Sequence, residues 1–387
     1  MRTLSTLLGL PQNRFASIHV VGTNGKSSVT RMVAALLEAH GVPAGACVSP
    51  HASRWSERIL IHGEEIGVAE FAAAVERAAQ AAETVNRGLE DGQAVTQFEL
   101  ATAASFLALA NARVEAAAVE AGLGGRLDAT NTIPSKVTVL TSVGLDHTEW
   151  LGESEEEIAA EKLAVLRDHT TLVLGRTSPA VRALAKRTAA ERGAELVVAP
   201  EDPGAEVELR ATGPFQRRNF ALARAAAEAF LGELDPERIA AVATAIEIPG
   251  RLEELSGDPP AVLDAAHNPD GAAALAEALP EVAAGRPVVA VLAILAEKDA
   301  AAMVAALAPA LDRAVCTELP TGRRTFEAAA LARSCAAASL PAEAEPDFAA
   351  AVAGARELAR EAGGVLLVAG SHYALAPARR ALGLCED

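Results

Sequence analysis

The tightest constraint on this chain is one short loop. Gly22-Thr23-Asn24-Gly25-Lys26-Ser27-Ser28 sits between a β-rich run, Phe15–Val21, and a helix-spaced run, Ser27–His40. Glycines let the backbone curl so that N–H groups point at phosphate oxygens. The helix that follows adds its positive N-terminal end. Lys26 is placed to reach a terminal phosphate, and the hydroxyl of Ser27 or Ser28 to assist a Mg²⁺ ion. The spacing is not the full GxxxxGK(S/T), because Val20 stands where the first glycine belongs. A plain glycine-rich βα turn is the competing reading.

Strand-like and helical runs alternate along the rest of the chain. Ala44–Ser49, Val114–Glu120, Lys136–Val143, Thr171–Leu174 and Glu195–Val198 read as strands. Val68–Gly88, Thr96–Ala110, Gln216–Gly232 and Pro236–Ile246 read as helices. This alternation predicts an α/β fold, a mostly parallel sheet with helices on both faces. A second series of strands follows: Ala261–Asp264, Pro287–Leu292, Arg313–Thr317 and Val365–Ala369. Between the two series lie Ile248-Pro249-Gly250-Arg251 and Ser256-Gly257-Asp258-Pro259-Pro260, so a hinge is expected between Glu247 and Pro260. The chain therefore divides into a larger domain, residues 1–250, and a smaller one, residues 251–387.

Composition limits the partners. The net charge of the 387 residues is −17, which excludes a generally basic, nucleic-acid-coating surface and disfavours an anionic membrane. Anionic ligands need only a local positive pocket. Five lysines (Lys26, Lys136, Lys162, Lys186, Lys298) stand against 29 arginines, so each lysine invites a question about its use. Cys47, Cys316, Cys335 and Cys385 form no CxxC pair, which argues against a zinc ribbon and a disulfide scaffold. Met1-Arg2-Thr3-Leu4-Ser5 opens no apolar signal region, and no run of 18 apolar residues suggests a membrane span. A cytoplasmic monomer is expected.

The loop GTNGK-x-S resembles the ATP-binding loop of the Mur ligases and of folylpolyglutamate synthase. Further motifs resemble the folate branch. Ser49-Pro50-His51 with Glu57-Arg58-Ile59 is similar to its SPHL…ERI, and Glu120–Asn131 to its EvGLGGRLDATN. Gly144–Gly152 is similar to GLDHTDWLG, and Asp264-Ala265-Ala266-His267-Asn268-Pro269 to DGAHNP. The matches run from about Gly22 to Ser371 in family order. The resemblance implies the folylpolyglutamate synthase/dihydrofolate synthase family of the Mur ligase superfamily. The fold it implies is a P-loop N-terminal domain plus a smaller Rossmann-like C-terminal domain that carries the glutamate ligase function.

Such a ligase activates a carboxylate with ATP. In the family the γ-phosphate passes to the substrate carboxylate, the amine of L-glutamate attacks the acyl phosphate, and phosphate leaves. Negative charge gathers on the phosphoryl group and then on the tetrahedral centre, and metal ions and fixed cations must meet it. The resemblance assigns Ser49, Glu120 and His147 to Mg²⁺, of which two ions are expected. Lys162, 15 positions after His147, falls where the family has a lysine in a segment like EKAGI. Many members carry CO₂ there as a carbamate, an anionic ligand for a second Mg²⁺. The competing reading is an exposed lysine on a solvated helix, although Ile158 leaves it without an i,i+4 carboxylate. Lys26, Glu120, His147 and Lys162 are thus the expected catalytic set.

ATP is expected on Asn24, Gly25, Lys26, Ser27 and Ser28, with Asn219 of a GxHQxxN-like segment, Arg251 of a PGR motif and Asp264. The family places the nucleotide between the domains, so ATP is expected to favour a closed form. Phe98 and Glu99, in a T-x-F-E motif, together with Leu127, Asp128 and Ala129, are expected at folate. Phe98 reads equally well as a core residue. His267 and Lys298, the latter in a DKD-like Glu297-Lys298-Asp299, are expected near L-glutamate. The acceptor is either dihydropteroate or a folate that already carries glutamate. Two rivals stay open: a Mur-type ligase acting on another carboxylate, and a nucleotide-binding regulator on the same scaffold.

Overall fold

A computed structural model describes residues 1–90 and 92–384; Cys385 lies outside them. The chain forms two compact units, Met1–Leu209 with Arg217–Ile246, and Arg210–Gln216 with Glu247–Asp387.

The described residues of the first unit build an eight-stranded sheet. Its strands are β1 (Ala16–Val21), β2 (Ala44–Cys47), β3 (Ile59–Ile61), β4 (Glu64–Glu65), β5 (Ala116–Glu120), β6 (Val137–Leu140), β7 (Thr171–Leu174) and β8 (Glu195–Val198). They lie in the order β4-β3-β2-β5-β1-β6-β7-β8. β2 and β5 to β8 run parallel to β1; only β3 runs against them, and β4 pairs antiparallel with β3. β1, β5 and β6 are mostly apolar and buried on both faces, as expected of strands covered by helices on each side.

β2 (AGAC) and β5 (AAAVE) are poor β-formers by composition. Their central position makes them strands, since side-chain fit outweighs intrinsic preference. A Cβ on Gly45 would lie 2.3 Å from Leu109 Cδ2, so the small residues let helix Gln97–Asn111 settle onto the sheet. Ala74, Ala78 and Ala82 repeat the device at i,i+4 spacing on helix Val68–Asn86, which packs into the same core. Much of the alanine bias therefore serves close packing.

In the second unit a six-stranded sheet has the order β13-β12-β11-β14-β10-β9. The strands are β9 (Glu253–Leu255), β10 (Ala261–Leu263), β11 (Val288–Leu292), β12 (Arg313–Cys316), β13 (Ala342–Ala344) and β14 (Val365–Ala369). Only β9 is antiparallel. One core cluster, including Leu275, Leu292, Met303 and Leu367, fills a face of this sheet.

Three differences from the sequence reading have local causes. The β3–β4 hairpin was not expected; His62 (φ 53°) and Gly63 (φ 83°) turn it with two left-handed residues, the geometry that suits hairpins. The run Lys136–Val143 is a strand only as far as Leu140, because Thr141 and Ser142 turn their hydroxyls to Asn24 O. Arg210–Gln216 belongs with the C-terminal unit: Thr212 Oγ1 donates to Glu254 Oε1 (2.7 Å), and Phe215 packs against that unit's core. Among the described residues no helix is long and apolar enough to cross a membrane.

Candidate active site

The site is set by strand order. β1 lies between β5 and β6, all parallel, with Val20 opposite Glu120 and Val21 opposite Leu140. Three chain segments thus leave the sheet side by side at its carboxyl edge, where ligands of open α/β sheets sit. They are the loop from Gly22, the loop after Glu120 and the loop after Leu140.

The first loop is tightly built. A Cβ on Gly22 would lie 1.8 Å from Thr141 Oγ1, and one on Gly25 would lie 2.6 Å from Asn219 Oδ1. Gly25 also has φ 83° and is the N-cap of helix Lys26–Ala39. Thr23 N donates to Ser142 O (2.9 Å), and Asn24 N to Ser142 Oγ (3.0 Å). Lys26 Nζ folds back onto Thr23 O at 3.0 Å. Ser28 is buried, whereas Ser27 faces the neighbouring loop.

Glu120 is only 3% exposed. Its Oε1 lies 3.0 Å from Ser27 Oγ, and its Oε2 accepts from Ser49 N at 2.8 Å. Ser27 Oγ is also 3.3 Å from Ser49 O. A carboxylate and two serines form a hard-oxygen group. Among the described residues no cluster of three or more His, Cys, Asp or Glu is preassembled for a metal. This set fits Mg²⁺, which takes one or two carboxylates and completes its shell with water and substrate phosphates. His147 opens the short helix Thr148–Leu151 with φ 51°, an uncommon backbone state for a non-glycine residue. Its backbone N–H donates to Asp146 Oδ1 (3.0 Å), and its side chain is 41% exposed.

Lys162 departs from the exposed-lysine reading. It lies in the last turn of helix Glu155–Leu163, is 3% exposed, and donates from Nζ to Gly22 O at 2.9 Å. Burial, reinforced by Lys26, lowers its ammonium to about 7, although Asp146, Asp128 and Glu161 oppose the shift. The glycine-rich loop lies on this helix. A Cβ on Gly125 would meet Glu161 O at 2.7 Å and Lys162 O at 2.8 Å, and Arg126 pairs with Glu161 at 3.0 Å.

Beside Glu120 lies a small, partly open pocket, lined by Ser49, Arg58, Phe98, Thr102, Glu120 and Thr130 among others. Phe98 lies against the glycine-rich loop; a Cβ on Gly122 would be 2.3 Å from Phe98 Cζ. Glu99 has another engagement. Its Oε2 accepts from Thr96 N and Oγ1, closing the cap of the helix that carries Phe98, and its Oε1 accepts from the Met1 ammonium at 2.7 Å. Leu127 is 90% exposed, whereas Ala129 is buried. Asp128 accepts from Leu123 N (2.8 Å) and Thr130 N (2.9 Å); burial raises its carboxyl and Thr130 opposes that. Sequence reasoning did not name Arg58 as a site residue. Arg58 Nε donates to His51 Nδ1 (3.0 Å), and its guanidinium lies 4.5 Å from the Trp55 ring centroid. The SPH…ERI match was the signal that pointed there.

In the C-terminal unit, Asp264 is buried just after β10. Its oxygens accept from Leu252 N and Ala266 N, both at 2.7 Å, which ties the PGR turn to the strand end. Burial raises its carboxyl, with Arg251 opposing. His267 Nδ1 is 2.9 Å from Ala265 O, and its ring stands edge-on to His372 at 6.1 Å. Lys298 lies in the turn before helix Ala300–Leu307, whose N-cap is Asp299.

Two family models match in chain order. The Mur ligase middle domain covers residues 20–212, and the Mur ligase glutamate ligase domain covers residues 250–372. The dihydrofolate synthase/folylpolyglutamate synthase of Mycobacterium tuberculosis is 36% identical over 368 residues, 85% of this chain and 76% of that protein. The chain belongs to this family of Mur ligases. Folylpolyglutamate synthase from the same organism, solved in complex with ADP, matches with a TM-score of 0.92 and 32% identity, over 100% of this chain and 94% of that one. Escherichia coli FolC, solved with DHPP and ADP, gives 0.85 and 27%, over 98% and 92%. Membership in the ligase family fits a sheet edge that joins a phosphate loop to a buried carboxylate and a pocket.

Proposed function

We propose that this chain is an ATP-dependent carbon–nitrogen ligase that joins L-glutamate to folate, and also to dihydropteroate, through an acyl phosphate. The relatives named dihydrofolate synthase/folylpolyglutamate synthase and the ADP complexes of structural neighbours support the ATP-dependent glutamate ligation. The observation that carries the chemistry is the convergence of Lys26, Glu120 with Ser27 and Ser49, and Lys162 at one sheet edge, beside a pocket that holds Phe98.

Family motifs, together with that arrangement, support the following roles. Residues 1–250 bind the acceptor and the phosphates of ATP, and residues 251–387 serve the incoming glutamate and add Arg251 and Asp264 to the nucleotide. Backbone N–H groups from Asn24 to Ser28 receive the phosphates, and Lys26 swings from Thr23 O to neutralise the transferring group. Asn219, Arg251 and Asp264 complete nucleotide binding. Glu120, Ser49 and His147 would hold Mg²⁺, which supplies charge neutralisation at the phosphates. Phe98 stacks on the acceptor, with Leu127, Asp128 and Ala129 beside it and Glu99 fixing the helix beneath. His267 and Lys298 receive L-glutamate. The protein works as a cytoplasmic monomer.

Lys162 is proposed to carry a carbamate. An amine adds CO₂ only when neutral, and a buried ammonium lowered to about 7 has a neutral fraction near neutral pH. Intact mass under CO₂ is expected to show one adduct that Lys162→Met lacks; a bare amine would remove the claim. The reaction itself is tested by phosphate release with dihydropteroate, tetrahydrofolate or UDP-MurNAc-peptide, with and without L-glutamate. Release that depends on glutamate and a pterin is expected. ¹⁸O placed in the acceptor carboxylate should appear in the phosphate. Release only with the peptide would favour the rival Mur-type substrate.

A further inference from the structure

His19 is an odd residue for the middle of a strand. It is fully buried in β1, between Val119 of β5 and Thr138 of β6. Its Nε2 lies 2.8 Å from Thr130 Oγ1. Its Nδ1 is buried and has no hydrogen-bond partner among the described residues.

The hydrogen count fixes the direction of this chain. Thr130 has one hydroxyl hydrogen, and Asp128 Oδ1 receives it. An ionised carboxylate only accepts, so the hydroxyl must offer His19 a lone pair. His19 Nε2 therefore carries the hydrogen, which leaves Nδ1 bare, in keeping with the lack of any acceptor there for an N–H. Burial, aided by Arg167, lowers this imidazole to about 3, so the neutral ring persists at ordinary pH. Asp128 in turn accepts from Leu123 N and Thr130 N, and so closes the loop that begins beside Phe98. Thr130 itself lines the pocket. One hydrogen-bonded chain thus runs from the strand that feeds the phosphate loop to the loop that walls the pocket.

We propose that His19 is a positioning residue for the acceptor: as the Nε2–H tautomer it orients Thr130 onto Asp128 and holds the Leu123–Thr130 loop in the shape that receives the pterin substrate. This rests on the reading that the pocket takes the acceptor.

The test pairs kinetics with spectroscopy. Losing one net hydrogen bond in this chain should raise the acceptor KM roughly five- to tenfold in His19→Met and in Thr130→Val. The KM for ATP and the kcat at saturating acceptor should stay within about twofold. His19→Gln keeps a donor and Thr130→Ser keeps the hydroxyl, so both should recover most of the loss. Because the groups act in series, the double variant H19M/T130V should be no worse than T130V. Equal rises in both KM values, no recovery by Gln or Ser, or additive single effects would overturn the proposal. ¹⁵N NMR of the unmutated protein, with His19 assigned by its absence in H19Q, needs no turnover. It should show Nε2–H and bare Nδ1 from about pH 5.5 to 8.5. An Nδ1–H tautomer, or titration in that range, would overturn the proposal even if the substrate reading fails on its own assay.

Discussion

At the scale of single residues, Lys162 holds the most unusual position. An ammonium group prefers water, yet this one is buried against a carbonyl of the phosphate loop with Lys26 close enough to repel it. The consequence for stability has a definite sign. The lysine value is ordinarily 10.5, and in the folded chain it is about 7. Between those values the unfolded chain holds a proton that the folded chain has released, so stability rises with pH across that window. Below it both states are protonated and the cost of burial is fully present. In CO₂-free buffer, the stability of the natural protein relative to Lys162→Met should be flat below about pH 7 and climb toward pH 10. Urea melts at several pH values measure this, and a difference that falls with pH would contradict the burial account. Lys26 and Glu120 were legible from their motifs. The burial of Lys162 was not, because it depends on a loop that arrives 140 residues earlier in the chain.

At the scale of elements, close backbone approach holds the site in shape. Helix Glu155–Leu163 meets the glycine-rich loop at Gly125, where a methyl group would lie 2.7 Å from Glu161 O and 2.8 Å from Lys162 O. Backbone atoms cannot step aside as a side-chain tip can, so the helix must shift. Gly125→Ala should cost about 1–3 kcal/mol of stability. It should also lower kcat more than it raises the KM for ATP, because Lys162 moves with the helix. Thermal melts and steady-state kinetics check both effects, and an unchanged melting temperature would show that the contact is looser. The strands that periodicity revealed, such as Thr171–Leu174 and Val365–Ala369, are rich in β-branched and leucine residues. The hairpin Ile59–Glu65 escaped notice because its strands are only three and two residues long. Its His62-Gly63 turn was the available signal. The Glu99 cap was legible as T-x-x-E before an apolar run, but the resemblance to a folate motif drew attention elsewhere.

At the scale of the whole molecule, the chain carries −17 and still belongs to a family that handles polyanions. The two facts agree if the negative charge describes the solvated surface and a few cations are kept at the sheet edge. Of the five lysines, Lys26 and Lys162 both bond to carbonyls of the loop that begins at Gly22, where, on the proposed reading, a compact ammonium and a carbamate-forming amine would do what a guanidinium cannot. Family motifs made most of this edge legible, since each is a contiguous run that ends a strand. The tether from His19 through Thr130 to Asp128 was not legible, because it joins residues 111 positions apart through side chains alone. The most direct test of the central claim is the mass of the pterin product after incubation with ATP, Mg²⁺ and L-glutamate. One glutamyl residue should be added to dihydropteroate or tetrahydrofolate only when all three are present, and Lys26→Ala should abolish the addition without changing the melting transition. An unmodified pterin in the complete mixture, or full activity in Lys26→Ala, would contradict the account.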